Sequence, residues 1–362
     1  MYWLPTILIL PYIFLLLKIY RNLLKIVPFK TSSTPSTYVS VIVACRNEQD
    51  KLPTLLESIS GQDYPGELFE IIIVDDNSTD RTFETASENK SIERLYVLKN
   101  SGKGKKAAIS TGISASSGRL IITTDADCTM GKSWIKTIAA FFEKYSPVMI
   151  ICPVKLDGNR GFFDRFQELE YMSLQGITAG TALAGNGIMC NGANLAFTRN
   201  TYLNQMDKLH FGLDTGDDVF MLHSLKKEIN PGIMWLESND SVVSTASSST
   251  AWSFLDQRKR WISKWNVYDD RFTILTGIVT LVATILQLSA FVSVFFNISF
   301  AWQFLAILIL KSVPDFLILQ NTTGRYGNRH LMRWFLPAQL FYPVYVMGVV
   351  LYSLIPTPRK VD

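Results

Sequence analysis

Apolar residues along this chain fall into two kinds of pattern. Between about residues 38 and 124 they form short continuous runs separated by polar stretches with helical spacing, while near both ends they form long runs without charge. Tyr38 to Ala44, Glu70 to Val74, Leu95 to Leu98 and Arg119 to Thr124 predict four strands. Glu48 to Ser60, Thr79 to Asn89 and Lys105 to Ser116 predict the helices between them. Strands that are apolar on both faces and alternate with helices imply an α/β domain whose mostly parallel sheet is covered on both sides. Such sheets gather ligands at the carboxyl ends of their strands. Arg46-Asn47-Glu48, Asp75-Asp76 and Asp125-Ala126-Asp127 all fall there.

The long runs read as membrane spans, since a spanning helix needs about 20 mostly apolar residues. Tyr2 to Leu17 is uncharged and predicts an N-terminal span within residues 1–24. Phe272 to Leu310 has no charge and is too long for one span; Asn297-Ile298-Ser299 is the place to turn, and a second span then runs from about Phe300 to Leu319. A third fits Trp334 to Ile355, giving about three spans over residues 272–356. Lys18, Arg21, Lys25 and Lys30 follow the first span, and Arg325, Arg329 and Arg333 lie between the second and third C-terminal spans. By the positive-inside rule both groups face the cytoplasm, as does the globular domain of residues 36–250. Arg359 and Lys360 then fall on the opposite side, against the rule. Gly161 to Thr178 sets Phe162, Phe163, Phe166, Leu169 and Met172 against Asp164, Arg165, Glu168 and Glu170, predicting an amphipathic helix at the membrane surface or packed within a domain.

Composition sharpens this picture only in places. The 362 residues are 48% hydrophobic and 18% charged, and the apolar excess is confined to the predicted spans. The net charge of +4 is concentrated beside them, which suits an anionic lipid surface and excludes a nucleic-acid-binding reading. Cys45, Cys128, Cys152 and Cys190 include no CxxC pair, so they read as reduced thiols and form neither a disulfide frame nor a zinc site.

Candidate chemistry is carried by acids at strand ends and by cations near the spans. Asp125-Ala126-Asp127 can turn alternate carboxylates toward one ligand, the oxygen donors that Mg²⁺ or Mn²⁺ prefers when it bridges phosphates. Asp75-Asp76-Asn77-Ser78 can enter a helix as a cap, or accept hydrogen bonds from a nucleobase or ribose. Lys103 and Lys105 lie in a Gly-Lys loop leading into a helix, a setting that attracts anions, although P-loop spacing is absent. Asp217-Asp218 can take a proton from an attacking hydroxyl. Gln257, Arg260 and Trp261, within the segment 251–271, offer a cation for pyrophosphate and an indole for a sugar face, or form a juxtamembrane basic cluster.

Taken in order, these motifs resemble the membrane-bound family 2 glycosyltransferases, whose members include ceramide glucosyltransferases and poly-N-acetylglucosamine, cellulose and hyaluronan synthases. The resemblance rests on Val41-Ile42-Val43-Ala44-Cys45-Arg46-Asn47-Glu48, Val74-Asp75-Asp76-Asn77-Ser78-Thr79-Asp80, Asp125-Ala126-Asp127, Gly192-Ala193-Asn194-Leu195-Ala196-Phe197, Asp217-Asp218 and Gln257-x-x-Arg260-Trp261. It implies a GT-A fold, a nucleotide-sugar donor (commonly UDP), Mg²⁺ or Mn²⁺, and one inverting displacement. By it, Asp75 and Asp76 would hold the nucleoside, with Glu48, Lys103, Lys105 and Asn194 in the nucleotide-sugar set. Asp125 would sit by the ribose or sugar, Asp127 with Asp125 on the metal, and Asp218, ahead of Asp217, would be the base. Gln257, Arg260 and Trp261 would hold the diphosphate and acceptor end. The family often has Glu-Asp where this chain has Asp217-Asp218, and no gating-loop motif follows Trp261.

The expectation is therefore an integral inner- or plasma-membrane enzyme moving a sugar from a UDP-sugar to a lipid. A processive synthase extending a growing glycan is the alternative, and a silent scaffold is a third reading. A dinucleotide-binding oxidoreductase is excluded, because no Gly-x-Gly-x-x-Gly follows the first strand.

Overall fold

Ile and Val dominate the first, second and fourth predicted strands, and their branched side chains favour a pleated sheet buried on both faces. The computed structural model, which describes residues 4–158, 161–209, 216–228 and 232–355, has that sheet. The described residues form two compact units. One is Ile26–Asp157 with Thr181–Ala246, and the other comprises Met1–Lys25, Gly158–Gly180 and Ser247–Asp362 where described.

The first unit is a GT-A-like α/β sandwich. Its strands are β1 (Val39–Cys45), β2 (Phe69–Asp75), β3 (Leu95–Lys99), β4 (Leu120–Asp125), β5 (Thr129–Met130), β6 (Met149–Ile151), β7 (Val154–Asp157), β8 (Leu195–Thr198), β9 (Ile233–Trp235) and β10 (Val243–Ala246). Seven of them form one sheet in the order β3-β2-β1-β4-β8-β6-β9. Neighbours are parallel except at β8, which runs antiparallel to both β4 and β6. A smaller sheet, β5-β10-β7, lies in the same unit.

Two predicted helices are shorter than their periodicity suggested. The helix expected from Glu48 begins at Leu52, with Pro53 in its first turn. Ahead of it, the Glu48 N–H donates to Thr82 Oγ1 (2.8 Å) and the Gln49 N–H to Asp80 Oδ2 (3.3 Å). The helix expected over 79–89 spans only Thr82–Ser87, since Asp80 turns its other oxygen onto the Thr82 N–H (3.0 Å). Asn47 and Asn77 both stand at φ 57°, a left-handed geometry that Asn tolerates better than most residues. Asn47 Oδ1 accepts from the Thr79 N–H at 2.8 Å, and Ser78 Oγ accepts from the Asn47 N–H at 3.0 Å. The loops after β1 and β2 are thereby tied together at the carboxyl edge.

The second unit holds the long apolar helices. Among the described residues, four segments are long and apolar enough to cross a membrane: Thr6–Leu23, Arg271–Phe296, Ile298–Arg325 and Arg329–Ser353. The turn falls where expected, with Asn297 Oδ1 accepting from the Ser299 N–H (3.0 Å) ahead of the helix Ala301–Arg325. Arg359 and Lys360 lie outside the described residues.

Gly158 and residues 161–180 were expected inside the 36–250 domain, but they group with the apolar helices of the second unit. Phe166, Leu169 and Met172 of the helix Phe162–Leu183 pack with Phe254, Leu319, Leu331 and Ala338, which gives that apolar face its cover. Two glycines one turn apart permit close approach. A Cβ on Gly176 would stand 2.4 Å from Thr322 Oγ1, and one on Gly180 would stand 2.7 Å from the backbone oxygen of Ile19.

Candidate active site

Register brings the acidic strand ends together. Cys45 of β1 pairs with Asp75 of β2, Asp75 with Lys99 of β3, and Ala44 with Asp125 of β4. Asp75 and Asp125 therefore flank the end of β1 at one edge of the sheet. Asp75 is buried; its Oδ2 accepts from the Ser78 N–H (3.3 Å), while its Oδ1 is buried without a hydrogen-bond partner. A buried orphan acceptor is costly, and a ligand N–H would relieve it. Asp76 is also buried, but its Oδ1 accepts from Asn100 Nδ2 (2.6 Å) and the Gly104 N–H (2.9 Å). It shapes the loop that carries Lys103 and Lys105.

Lys105 is the hub of the cluster. It opens the helix Lys105–Ala115, and its Nζ donates to Asp125 Oδ1 at 2.5 Å. Burial pulls its pKa down, but Asp125, followed by Asp217 and Asp218, pushes it above the usual lysine value. Asp217 and Asp218 begin the helix Asp217–Glu228, where the N-terminal dipole favours negative charge. Asp218 is held firmly: Oδ2 accepts from the Gly192 N–H (3.0 Å) and Oδ1 from the Val219 N–H (2.8 Å). Asp217 is pushed up to about 6, first by burial and then by the Asp218 charge, with Lys105 and Lys106 pulling the other way. A carboxylate tuned toward neutrality at a helix N-terminus is suited to handling protons.

Asp125 and Asp127 are half-buried with buried Ala126 between them; Asp125 ends β4 and Asp127 lies in the turn that follows. Among the described residues no group of three or more His, Cys, Asp and Glu side chains gathers as a metal cage. Two hard oxygen donors fit Mg²⁺ or Mn²⁺ held jointly by protein, substrate phosphates and water. Asp125 is already paired with Lys105.

Several other expected residues lie elsewhere in function or position. Asn194 was expected among the nucleotide-sugar contacts, yet it is fully buried in the scaffold. Its Oδ1 accepts from Trp134 Nε1 (3.0 Å), and its Nδ2 donates to the carbonyls of Pro153 (2.7 Å) and Ser241 (2.8 Å). Both amide hydrogens and one lone pair of the oxygen are thus engaged inside the scaffold. Glu48 pairs with Lys51 at 3.0 Å, and Lys103 is exposed on the loop. Lys106, which sequence reasoning passed over, is buried with its Nζ on the Leu209 carbonyl (2.9 Å) and 5.3 Å from the Phe220 ring centre.

Gln257, Arg260 and Trp261 belong to the second unit, on the helix Ala251–Ile262. Arg260 is exposed, whereas the neighbouring Arg258 is buried and missed by the motif reading. Arg258 donates to both oxygens of Glu170 (3.2 and 2.5 Å) and to Gln257 Oε1 (2.5 Å), with its guanidinium 4.1 Å from the Trp261 ring centre. It fixes the attitude of two of the three motif residues.

Residues 40–206 match the model of glycosyl transferase family 2. The chain carries a family 2 glycosyltransferase domain. Over 108 residues it is 33% identical to glycosyltransferase AglE of Haloferax volcanii, spanning 29% of this chain and 35% of that protein. Over 111 residues it is 30% identical to the beta-monoglucosyldiacylglycerol synthase of Nostoc, spanning 30% of this chain and 24% of that one. The matches thus span about a third or less of these relatives' lengths. A solved mannosyltransferase from Pyrobaculum calidifontis, in complex with GDP-Man and Mn²⁺, shares the fold over 98% of this chain and 99% of its own. Its TM-score is 0.58 at 16% identity.

Proposed function

We propose that this protein is an inverting glycosyltransferase that moves a sugar from a UDP-sugar to a membrane lipid at the cytoplasmic face. The observation carrying this reading is the convergence of Lys105, Asp125, Asp217 and Asp218 on one edge of the sheet, beside the open acceptor of Asp75. Asp75 Oδ1 accepts the imide N–H of uracil, and Asp76 holds the loop that closes over the nucleoside. Asp127, with Asp125, would hold Mg²⁺ or Mn²⁺, which supplies charge neutralisation at the departing diphosphate. Lys105 and Lys103 add cationic charge on the same side, and Gln257, Arg260 and Trp261 serve the diphosphate and the acceptor end.

The acceptor hydroxyl attacks the anomeric carbon, the bond to the diphosphate breaks, and Asp218 takes the hydroxyl proton. Asp218 suits the role because two backbone N–H groups fix its orientation. Asp217, pushed up to about 6, keeps its proton to a higher pH than an ordinary carboxyl does. The four apolar segments and the lipid-glucosylating relative support a lipid acceptor, and the Lys and Arg residues flanking the spans support a cytoplasmic domain.

Purified protein in lipid with Mn²⁺ and a panel of UDP-sugars tests this by UDP release and product mass. Release with one sugar added per lipid is expected, and Asp127→Asn should abolish it in a folded protein. A ladder of product masses, or full activity in that variant, would overturn the lipid acceptor or the metal assignment respectively.

A further inference from the structure

The segment that enters the first unit from the first apolar helix does not hang free but is strapped to the surface of that unit. Six residues lead from Leu23, the last of the apolar segment Thr6–Leu23, to Phe29, a tether of at most about 21 Å. The Phe29 N–H donates to the Glu237 carbonyl (2.7 Å), and its ring meets Phe141 edge-on at 5.1 Å between centroids. Thr31 Oγ1 then donates to Thr137 Oγ1 (3.4 Å), and the Ser36 and Thr37 N–H groups donate to Glu143 Oε1 (2.7 and 2.9 Å). The strap thus follows the helix Trp134–Tyr145.

At its start the strap builds an exposed apolar and aromatic cluster that carries cations. Tyr145 packs on Phe141 (4.8 Å) and Phe29 (6.2 Å), yet stays 44% exposed. Lys144 Nζ stands 5.1 Å from the Tyr145 ring centre and 5.7 Å from that of Phe29. Val27 is 81% exposed, and Lys30 is exposed as well. Glu143, the acid next to Lys144, is turned to the strap, and among the described residues no carboxylate pairs with Lys30 or Lys144. Lys144 also suits the C-terminal dipole of its helix, but a dipole accounts for neither the bare Val27 nor the exposed ring face.

Rings with lysines at their rim suit the headgroup layer of a bilayer, where rings and aliphatic stems rest on acyl chains and ammonium groups meet lipid phosphates. Lys30 ends a basic run that follows the first apolar segment in sequence, whereas Lys144, far along the chain, is brought to Phe29 only by the fold. We propose that Val27, Phe29, Lys30, Lys144 and Tyr145 form a membrane-contact surface of the first unit, seated on the headgroups of anionic phospholipids. The surface needs the first apolar segment in a bilayer and is independent of the transferase reading.

The test places the photo-crosslinker p-benzoylphenylalanine at Tyr145 of the full chain, in nanodiscs of phosphatidylcholine alone or mixed with phosphatidylglycerol. The same group at Phe14, exposed on the first apolar segment, is the standard for bilayer contact. Irradiation should give lipid adducts at position 145, read by mass spectrometry, in higher yield in the mixed bilayer. A lysine near an anionic surface strengthens binding about fivefold, so Lys30→Gln and Lys144→Gln should each lower that yield by about this factor while adducts at position 14 hold. Adducts to protein instead of lipid at position 145, no adduct there beside a normal yield at position 14, or a yield indifferent to lipid charge and to both lysines would overturn the proposal. Absence of lipid adducts at both positions would overturn the membrane reading beneath it, and the proposal with it.

Discussion

Replacing Lys105 with Met offers a direct reading of the carboxylate cluster. In the parent, Lys105 and Lys106 restrain Asp217, whose pKa nonetheless stands at about 6. An opposite charge within about 4–6 Å shifts a carboxyl by roughly 1–3 units. Lys105 is partly exposed, so solvent screening favours the low end of that range, about one unit. The acidic limb of kcat/KM, which reports the free enzyme, should then move from about 6 to about 7 in Lys105→Met. At about pH 6.5 the ionised fraction would fall roughly threefold through this shift alone. Lys105→Arg should leave the limb near its parent position. The assay is the pH profile of UDP release at saturating Mn²⁺. Loss of phosphate contact lowers the whole curve without moving its limb, so the two effects separate. A limb that stays in place in Lys105→Met would refute the electrostatic account. The same shift bears on folding: Asp217 is raised from an ordinary 3.8, so its contribution to stability is full below that value and is lost as pH climbs through about 6.

Three further outcomes are expected. Asn194→Ala strands Trp134 Nε1 and the Pro153 and Ser241 carbonyls, at about 1–3 kcal/mol each, so thermal stability should fall while the donor KM of the folded fraction holds; a normal melting temperature with a raised donor KM would contradict this. Gly176→Leu forces a Cβ against Thr322 Oγ1 at 2.4 Å and should cost about 1–3 kcal/mol, read as a lower unfolding temperature in detergent. Glu170→Gln leaves buried Arg258 without its counter-charge and should cost about 3–5 kcal/mol in the same measurement, whereas Arg260→Gln on the exposed side should leave stability nearly unchanged.

The parallel half of the sheet was readable because β1, β2 and β4 are largely apolar runs, two of which end in Asp75 and Asp125, and that pattern has few other solutions. β8 and the small β5-β10-β7 sheet were not, since strands of two to four residues carry too little periodicity to stand out. Adjacent residues caused the other errors of the site reading. Lys105 and Lys106, or Arg258 and Arg260, look equivalent in a basic run. On a helix, however, each step turns the side chain by about 100°, so one cation meets the site or solvent and another enters the core. Asn194 sits in a motif-like stretch, and only three-dimensional packing shows its amide to be buried and engaged with the scaffold. Gly176 and Gly180 passed unnoticed for a similar reason: a glycine in a helix declares its purpose through what it touches.

The reversed strand β8 also constrains how the chain is made. Leu120 pairs with Thr198 and Met149 with Ile233, so β4 presents a bare backbone edge until residue 198 has emerged from the ribosome, and β6 until residue 233 has. Unpaired edges are templates for wrong association, and synthesis proceeds at about 5–20 residues per second, so this interval lasts several seconds. By then the first apolar helix has long been exposed to the targeting machinery, while the three later ones are still to be translated. The sheet is therefore completed while one apolar helix is already out and the other described apolar segments are still to be made, so the bare edge of β4 and the apolar face of that helix need cover during the same seconds.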